Sequence, residues 1–376
     1  MTSALDGALV ADFSRVLAGP YATMLLADLG ATVVKVERPG AGDDTRAWGP
    51  PFAPDGQSTY FHSVNRNKRS IALDLSDPAD LGIAQDLARH ADVVVQNYKP
   101  GGLARFGLDY AAVSAANPDV VYCSISGFGS GEGRDLPGYD LLVQAMGGLM
   151  SITGDAEPTK AGVAVVDVLT GLHATVAILA ALRHRDVTGA GQHVEVSLLS
   201  ALLSSLVNQS SAFVGAGVVP QRMGNAHPSI APYDLFATAD RPMIIAVGND
   251  GQFRRLVEVL GRAELADHAD YRTNTDRVSH RDALKGTLEA TLTTRGADDW
   301  QRDLTAAGVP CGPINSIEQA FRLATRLGLE PVSDIDGIPV VANPVVYTAT
   351  PADYRTPPPT VDSDRDEVLA LLRERP

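Results

Sequence analysis

Between residues 9 and 126 the chain repeats one pattern: short apolar runs separated by helical stretches or polar loops. Residues 9–13 read as a short buried strand. A loop follows, Ser14-Arg15-Val16-Leu17-Ala18-Gly19-Pro20, with Pro20 at the first turn of a helix over 21–29. Gly30 closes that helix, and residues 31–37, ATVVKVE, form the next strand. After Arg38-Pro39-Gly40 comes a polar loop holding Gly42, Asp43 and Asp44, and later Asn65-Arg66-Asn67-Lys68-Arg69. The pattern resumes with a strand over 70–75, a helix over 78–90, a strand over 92–97, a helix near 109–116 and a strand over 120–126. Strands alternating with helices imply an α/β fold on a Rossmann-like, mostly parallel sheet. In such sheets ligands sit at the carboxyl ends of the strands.

Those carboxyl ends share a chemistry. Ser14-Arg15 follow the first strand, Arg38 follows the second, and Asn97-Tyr98-Lys99 follow the fourth. Each could be a solvated strand end, because loops are normally polar. Together they place cations and amide donors on one rim, which suits a phosphate-bearing ligand. The dinucleotide fingerprint is missing: between Ser14 and Met24 the only glycine is Gly19. That argues against a nicotinamide oxidoreductase.

The stretch 138–171, GYDLLVQAMGGLMSITGDAEPTKAGVAVVDVLTG, carries the residue of greatest chemical interest. Asp167 ends the apolar run Ala164-Val165-Val166 and precedes a helical pattern over 172–182. One reading is a helix cap, whose carboxylate accepts the first-turn N–H groups. The other is an acid at the mouth of the sheet, where helix N-terminal N–H groups also stabilise an oxyanion. Both stay open at this point. Tyr139 reads as a core tyrosine or a site residue, and Asp140 as a cap for a helix over 141–146 or a site residue. Lys68-Arg69 read as edge charge ahead of a strand. His173, on an apolar helix without a partner at ligand spacing, reads as structural.

Beyond residue 200 the texture changes. Residues 196–221 contain no formal charge but many serines, and read as a buried helix over 198–206 running into a loop rather than as a membrane span. RMGNAHPSIAP at 222–232 is rich in turn formers and reads as a crossover. A shorter α+β set follows: a strand over 242–247, helices over 252–260, 281–292 and 298–307, an extended VPCGPI, and a helix over 316–327. The expected organisation is a large domain over 1–200, a crossover over 201–232, a small α+β domain over 233–320, and a return to the large domain over 321–376. The return holds strand-like 337–347 and a final helix near 363–373. A net charge of −14 disfavours a nucleic-acid partner, though not a local basic pocket. Cys123 and Cys311 supply neither a disulfide framework nor zinc spacing, and a reducing cytoplasm is expected. The N-terminal residues lack a basic, signal-like region.

Six segments in combination resemble the class III CoA-transferases, the superfamily that includes 2-methylacyl-CoA racemase. They are ADFSRVLAGPYATMLLADLGATVVKVERPG, NRNKRSIALDL, VVVQNYKPGGLARFGLDY, SISGFG with PGYD, VDVLTGLHATVAILAALRHRDVTGAGQHVEVSLL, and GVPCGPI. The resemblance implies a large Rossmann-like domain built from both chain ends, a smaller central domain, and two protomers interlocked like chain links. It implies acyl-CoA and small carboxylates as substrates, in a transfer that needs no metal. Carried over by motif, Asp167 corresponds to the catalytic aspartate. Val16 to Ala18, Arg38, Leu73, Asn97, Tyr98 and Arg105 correspond to CoA-contacting positions, with Arg15 beside them on the rim. Tyr139-Asp140 corresponds to a pair near the thioester. The implied reaction passes through an aspartyl–acyl anhydride and an aspartyl-CoA thioester.

Departures narrow the expectation. The racemases carry histidine where this chain has Tyr139, which argues for transfer rather than racemisation. The formate/oxalate branch has a glycine run in its crossover and a glutamine in place of Leu17. This chain has neither, which argues against an oxalate-type substrate. A non-catalytic CoA-binding protein is the remaining alternative.

Overall fold

The computed structural model describes residues 3–375. Packing divides it into two units, one of residues 3–149, 161–218 and 329–375, the other of residues 150–160 and 219–328. The segment 150–160, expected in the large domain, therefore belongs to the smaller unit, as do residues 321–328.

The larger unit is built on a six-stranded sheet. Its strands are β1 (Leu9–Asp12), β2 (Thr32–Glu37), β3 (Lys68–Ala72), β4 (Val93–Gln96), β5 (Val121–Ser126) and β6 (Gln192–Ser197). All neighbours pair in parallel, in the order β3-β2-β1-β4-β5-β6. The helices are α1 (Ala18–Asp28), α2 (Thr59–His62), α3 (Pro78–His90), α4 (Tyr110–Ala116), α5 (Asp140–Met146), α6 (Leu149–Ile152), α7 (Val165–Thr188), α8 (Leu198–Ser205) and α9 (Asn208–Ala216). The apolar runs are nearly continuous because both faces of the sheet are covered. Val10, Val33, Val95 and Cys123 pack on one face with α1, α7 and α8. Leu9, Val34, Val94 and Tyr122 pack on the other with α3 and α4. The strand order reverses between β1 and β4, so the loops after these two strands diverge and leave a crevice at their carboxyl ends.

Three expectations change here. The helix expected over 172–182 begins earlier, at Val165, and runs to Thr188. By length and composition it is the one described helix able to cross a membrane unbroken, and it buries Val166, Ala174, Ile178 and Leu182 against the sheet. The stretch expected to become a loop after residue 206 is a second helix, α9, set at 85° to α8, with Val207 at φ 45° in the break. Lys68 is not edge charge. It lies inside β3, 1% exposed, its Nζ 3.1 Å from Asp12 Oδ2, and Arg69 pairs with Glu367.

The smaller unit carries an antiparallel sheet of β7 (Tyr233–Phe236), β8 (Met243–Ala246) and β9 (Cys311–Pro313), in the order β7-β8-β9. Helices α10 (Asp250–Val259), α11 (Asn274–Ser279), α12 (Arg281–Leu292), α13 (Ala297–Ala306) and α14 (Ile317–Arg326) accompany it. Leu284, Leu288 and Leu292 recur at helical spacing and enter the core with Phe253 and Trp300.

The chain then returns to the larger unit. Of the strand-like stretch 337–347 only β11 (Ile338–Val341) is a strand, paired with β10 (Val332–Ile335). A last helix, α15 (Arg365–Glu374), packs Val368 into the sheet's core. Just before it, Asp364 and Asp362 accept the Ser70 and Ala72 N–H groups, which covers the free edge of β3.

Candidate active site

The crevice after β1 and β4 opens into two clefts, both within the larger unit. One, of about 470 Å³, is lined by Val16, Ala18, Asn97, Tyr139 and Asp167. The other, of about 480 Å³, is lined by Arg38, Leu73 and Arg105. Arg15 and Tyr98 line both and so join them. Every site residue expected from the sequence lies on these walls except Asp140, which sits behind one of them.

The β1–α1 loop forms the first wall. Asp12, fully buried, accepts the Ser14 N–H and the hydroxyls of Ser14 and Thr23. Gly19 lies so close to this turn that an added Cβ would fall 2.3 Å from Ser14. Asn97 grips Arg15 from both sides: Oδ1 accepts the Arg15 N–H at 2.9 Å, and Nδ2 donates to the Arg15 carbonyl at 2.7 Å. Its amide therefore positions the loop, with one Nδ2 hydrogen spent on the Arg15 carbonyl, while the residue lines the cleft. Val16 is held at φ 70°, a left-handed conformation that β-branched residues rarely adopt. The N–H groups of the next two residues, Leu17 and Ala18, have no acceptor among the described residues.

Cations gather where the clefts meet. The Arg15 guanidinium lies 5.2 Å from the Tyr98 ring centroid, and Asp44 sits between Arg15 at 3.6 Å and Arg38 at 2.5 Å. Arg105 rests on the Phe106 ring, 4.4 Å to the centroid, with no carboxylate partner among the described residues.

The opposite wall comes from α5 and α7. After β5, Gly127 meets Gly138 backbone to backbone; a Cβ on Gly127 would lie 2.4 Å from the Gly138 Cα. This approach, open only to glycine, carries Tyr139 and Asp140 to the site. Tyr139 is 66% exposed on the cleft wall, so it is not a core tyrosine. Asp140 is the first residue of α5 and does not cap it. Its Oδ1 accepts the Val166 N–H at 2.8 Å and the Asp167 N–H at 3.3 Å, while Oδ2 accepts Gln144 Nε2 at 2.6 Å. Asp140 thus caps α7, a helix 26 residues further along. Asp167 is the third residue of α7, and its carboxylate has no hydrogen-bond donor among the described residues.

That placement bears on the cap reading of Asp167 alone. Its carboxyl is not a cap. Burial, and then the neighbouring Asp140 charge, raise its pKa to about 7. It is a carboxylate at a cleft wall with neither a cation nor an N–H group spent on it. One neighbour was not foreseen. Tyr60 on α2 packs against the buried cluster of Leu17, Met24 and Val64, and burial, then Asp167, Asp140 and Asp43, push its hydroxyl up to about 12. Its only sequence signal is an aromatic in the polar loop between β2 and β3.

The CoA-transferase family III model matches residues 5–365. The chain is 46% identical to the succinate–glutarate CoA-transferase of Agrobacterium fabrum, over 98% of this chain and 95% of that one. It is 40% identical to the acetyl-CoA:oxalate CoA-transferase of Acetobacter aceti, over 90% and 88% respectively. A CAIB/BAIF family protein from Brucella suis superposes with a TM-score of 0.90 at 41% identity, covering 99% of this chain and 100% of that one.

Proposed function

The chain belongs to CoA-transferase family III, and from that premise we propose that it moves CoA from an acyl-CoA to an acceptor carboxylate with Asp167 as nucleophile. The observation that carries this is the unpartnered Asp167 carboxyl at the cleft wall, with its pKa raised to about 7. A carboxylate unsolvated by donors is a better nucleophile than one bound by them.

The Asp167 carboxylate attacks the thioester carbonyl, forming an aspartyl–acyl anhydride and releasing CoA thiolate. The thiolate attacks the aspartyl carbonyl, leaving an aspartyl-CoA thioester and the donor's carboxylate. The acceptor carboxylate attacks this thioester, giving a second anhydride and thiolate again. The thiolate takes the acceptor's acyl carbon, and Asp167 is restored. Each addition places negative charge on a carbonyl oxygen. The Leu17 and Ala18 amides are donors of the right kind for it, and one such donor is worth about 3 kcal/mol. Arg38 and Arg105 hold the CoA phosphates, with Arg15 and Tyr98 between the two clefts. Arg134 lines the Asp167 cleft and suits a second carboxylate on the acyl group, beside Arg15 and Lys99, which pair with Asp44 and Asp135. That favours short dicarboxylates such as the succinate and glutarate of the relative's name. A second copy of the chain is expected to cover exposed apolar surface of the larger unit.

The test is chemical trapping. Protein mixed with succinyl-CoA and quenched with borohydride, which reduces an aspartyl thioester to an alcohol, is digested and read by mass spectrometry. The expected product is a reduced residue 167. Asp167→Ala should lose transfer to glutarate while retaining CoA affinity. An unmodified Asp167 across a panel of acyl-CoAs, or full activity in Asp167→Ala, would sink the proposal.

A further inference from the structure

Beneath the β1–α1 loop lies an ion pair to which the proposed reaction assigns no role. Lys35, in β2, places Nζ 2.8 Å from Asp43 Oδ2, and both side chains are 0% exposed. Lys35 Nζ also donates to the Ser14 carbonyl at 3.0 Å. Asp43 in turn accepts the Val16 N–H, at 3.2 Å to Oδ2 and 3.3 Å to Oδ1, together with the Thr45 N–H and hydroxyl. The pair therefore grips the loop at residues 14 and 16, on either side of Arg15. Burial disfavours the Lys35 charge, but Asp43, Asp12 and Glu37 outweigh it and raise its pKa; Lys35 in turn helps hold the Asp43 carboxyl below its usual range.

What the pair holds is strained. Val16 sits at φ 70°, where a β-branched side chain crowds its own backbone. A glycine would adopt this turn freely, but the valine side chain packs against the cluster of Leu17, Met24 and Val64 beside the cleft. Valine thus supplies an apolar wall at the expense of backbone strain, and something must hold the strained form. We propose that the buried Lys35–Asp43 pair is a positioning device: it fixes Val16 in the left-handed conformation and so keeps the Leu17 and Ala18 amides at the wall of the Asp167 cleft. This rests on the transferase reading of that cleft. The same Asp43 carboxylate caps the short turn Asp44–Ala47, so it also sets Asp44 between Arg15 and Arg38.

A rescue cycle tests it. Asp43→Asn leaves one acceptor oxygen where four donors converge, and should lower kcat/KM for transfer on the order of tenfold, the cost expected of freeing a left-handed β-branched residue. Adding Val16→Gly should recover most of that loss, measured against Val16→Gly alone. If Asp43→Asn does not fold, Lys35→Met with Asp43→Ala leaves no charge of this pair unmatched and carries the same cycle. Unchanged kcat/KM in the Asp43 variants would overturn the proposal. So would a loss that Val16→Gly fails to restore, because the pair would then act only through stability. Wild-type protein without turnover would instead sink the transferase reading, and the cycle would be read in CoA affinity by calorimetry.

Discussion

At Asp167 the nucleophile and the proton compete for one carboxylate. With the pKa raised to about 7, the group is protonated and inert below neutrality and ionised above it. The rate of acyl-enzyme formation under kcat/KM conditions should therefore rise with pH and level off above about 7. Burial is the larger cause of the shift and the Asp140 charge the smaller. Asp140→Asn keeps an oxygen for the Val166 N–H and removes the charge. Its acid limb should move to lower pH, without reaching an ordinary aspartate's, because burial remains. A pH–rate profile checks this, and a limb that stays in place or moves upward contradicts it. Asp167 was legible as an acid leading into a helix, yet its position within that helix was not. Its true cap, Asp140, lies 27 residues away, and a local reading assigns each acid to the nearest helix start. Lys35 and Asp43 were invisible for the same reason: a lysine in an apolar strand and an aspartate in a polar loop say nothing of each other until the sheet brings them together.

At the scale of elements, the strand–helix alternation was readable because each apolar run is buried on both faces. Helices α3 and α12 begin and end where their periodicity places them, and Asp77 caps the start of α3. The failures have physical causes. The start of β3 was misplaced because Lys68 and Arg69 look like surface charge, and only Asp12 makes Lys68 an interior residue. Helix α9 was missed because NQSSAFVGA has low helix propensity and no side-chain cap. The loop between β5 and α5 offers a sharper test. Gly127 and Gly138 touch through their backbones, so neither can yield to a methyl group as a flexible side chain would. Gly127→Ala should force the two loops apart, withdraw Tyr139 from the cleft, and destabilise the fold by about 1–3 kcal/mol. Gly131→Ala, where an added Cβ meets open space, is the matched control. Thermal melts and transfer rates on both variants decide it: equal behaviour would mean that the close contact has no role in building the site.

For the whole molecule, the question is what covers the apolar surface of the larger unit. Scattered exposed hydrophobics are ordinary, but α9 is not scattered. No residue of that helix is buried, Phe213 is 59% and Val214 84% exposed, and Val207 and Val218 flank them at 69% and 55%. The charge-free sequence of 196–221 reads as a buried helix over 198–206 running into a loop. That held for α8, which buries Leu198, Ala201 and Leu202. The remainder carries the composition of an interior on a surface. A long loop would hide its side chains locally, whereas a helix with both faces exposed needs another protein surface against it. The interlocked pairing implied by the family resemblance offers one, a second copy of the same chain. Light scattering behind size exclusion should then give twice the mass of 39.5 kDa for the wild type. Phe213→Glu with Val214→Glu, placing like charges on one exposed helix, should shift the distribution toward single chains and expose apolar surface to a fluorescent dye. The transfer rate should fall with the dimer fraction if pairing holds the larger unit's clefts in shape. A wild-type protein that runs as a single chain at micromolar concentration, with α9 still protected from proteolysis, would show that the helix is covered by some other means.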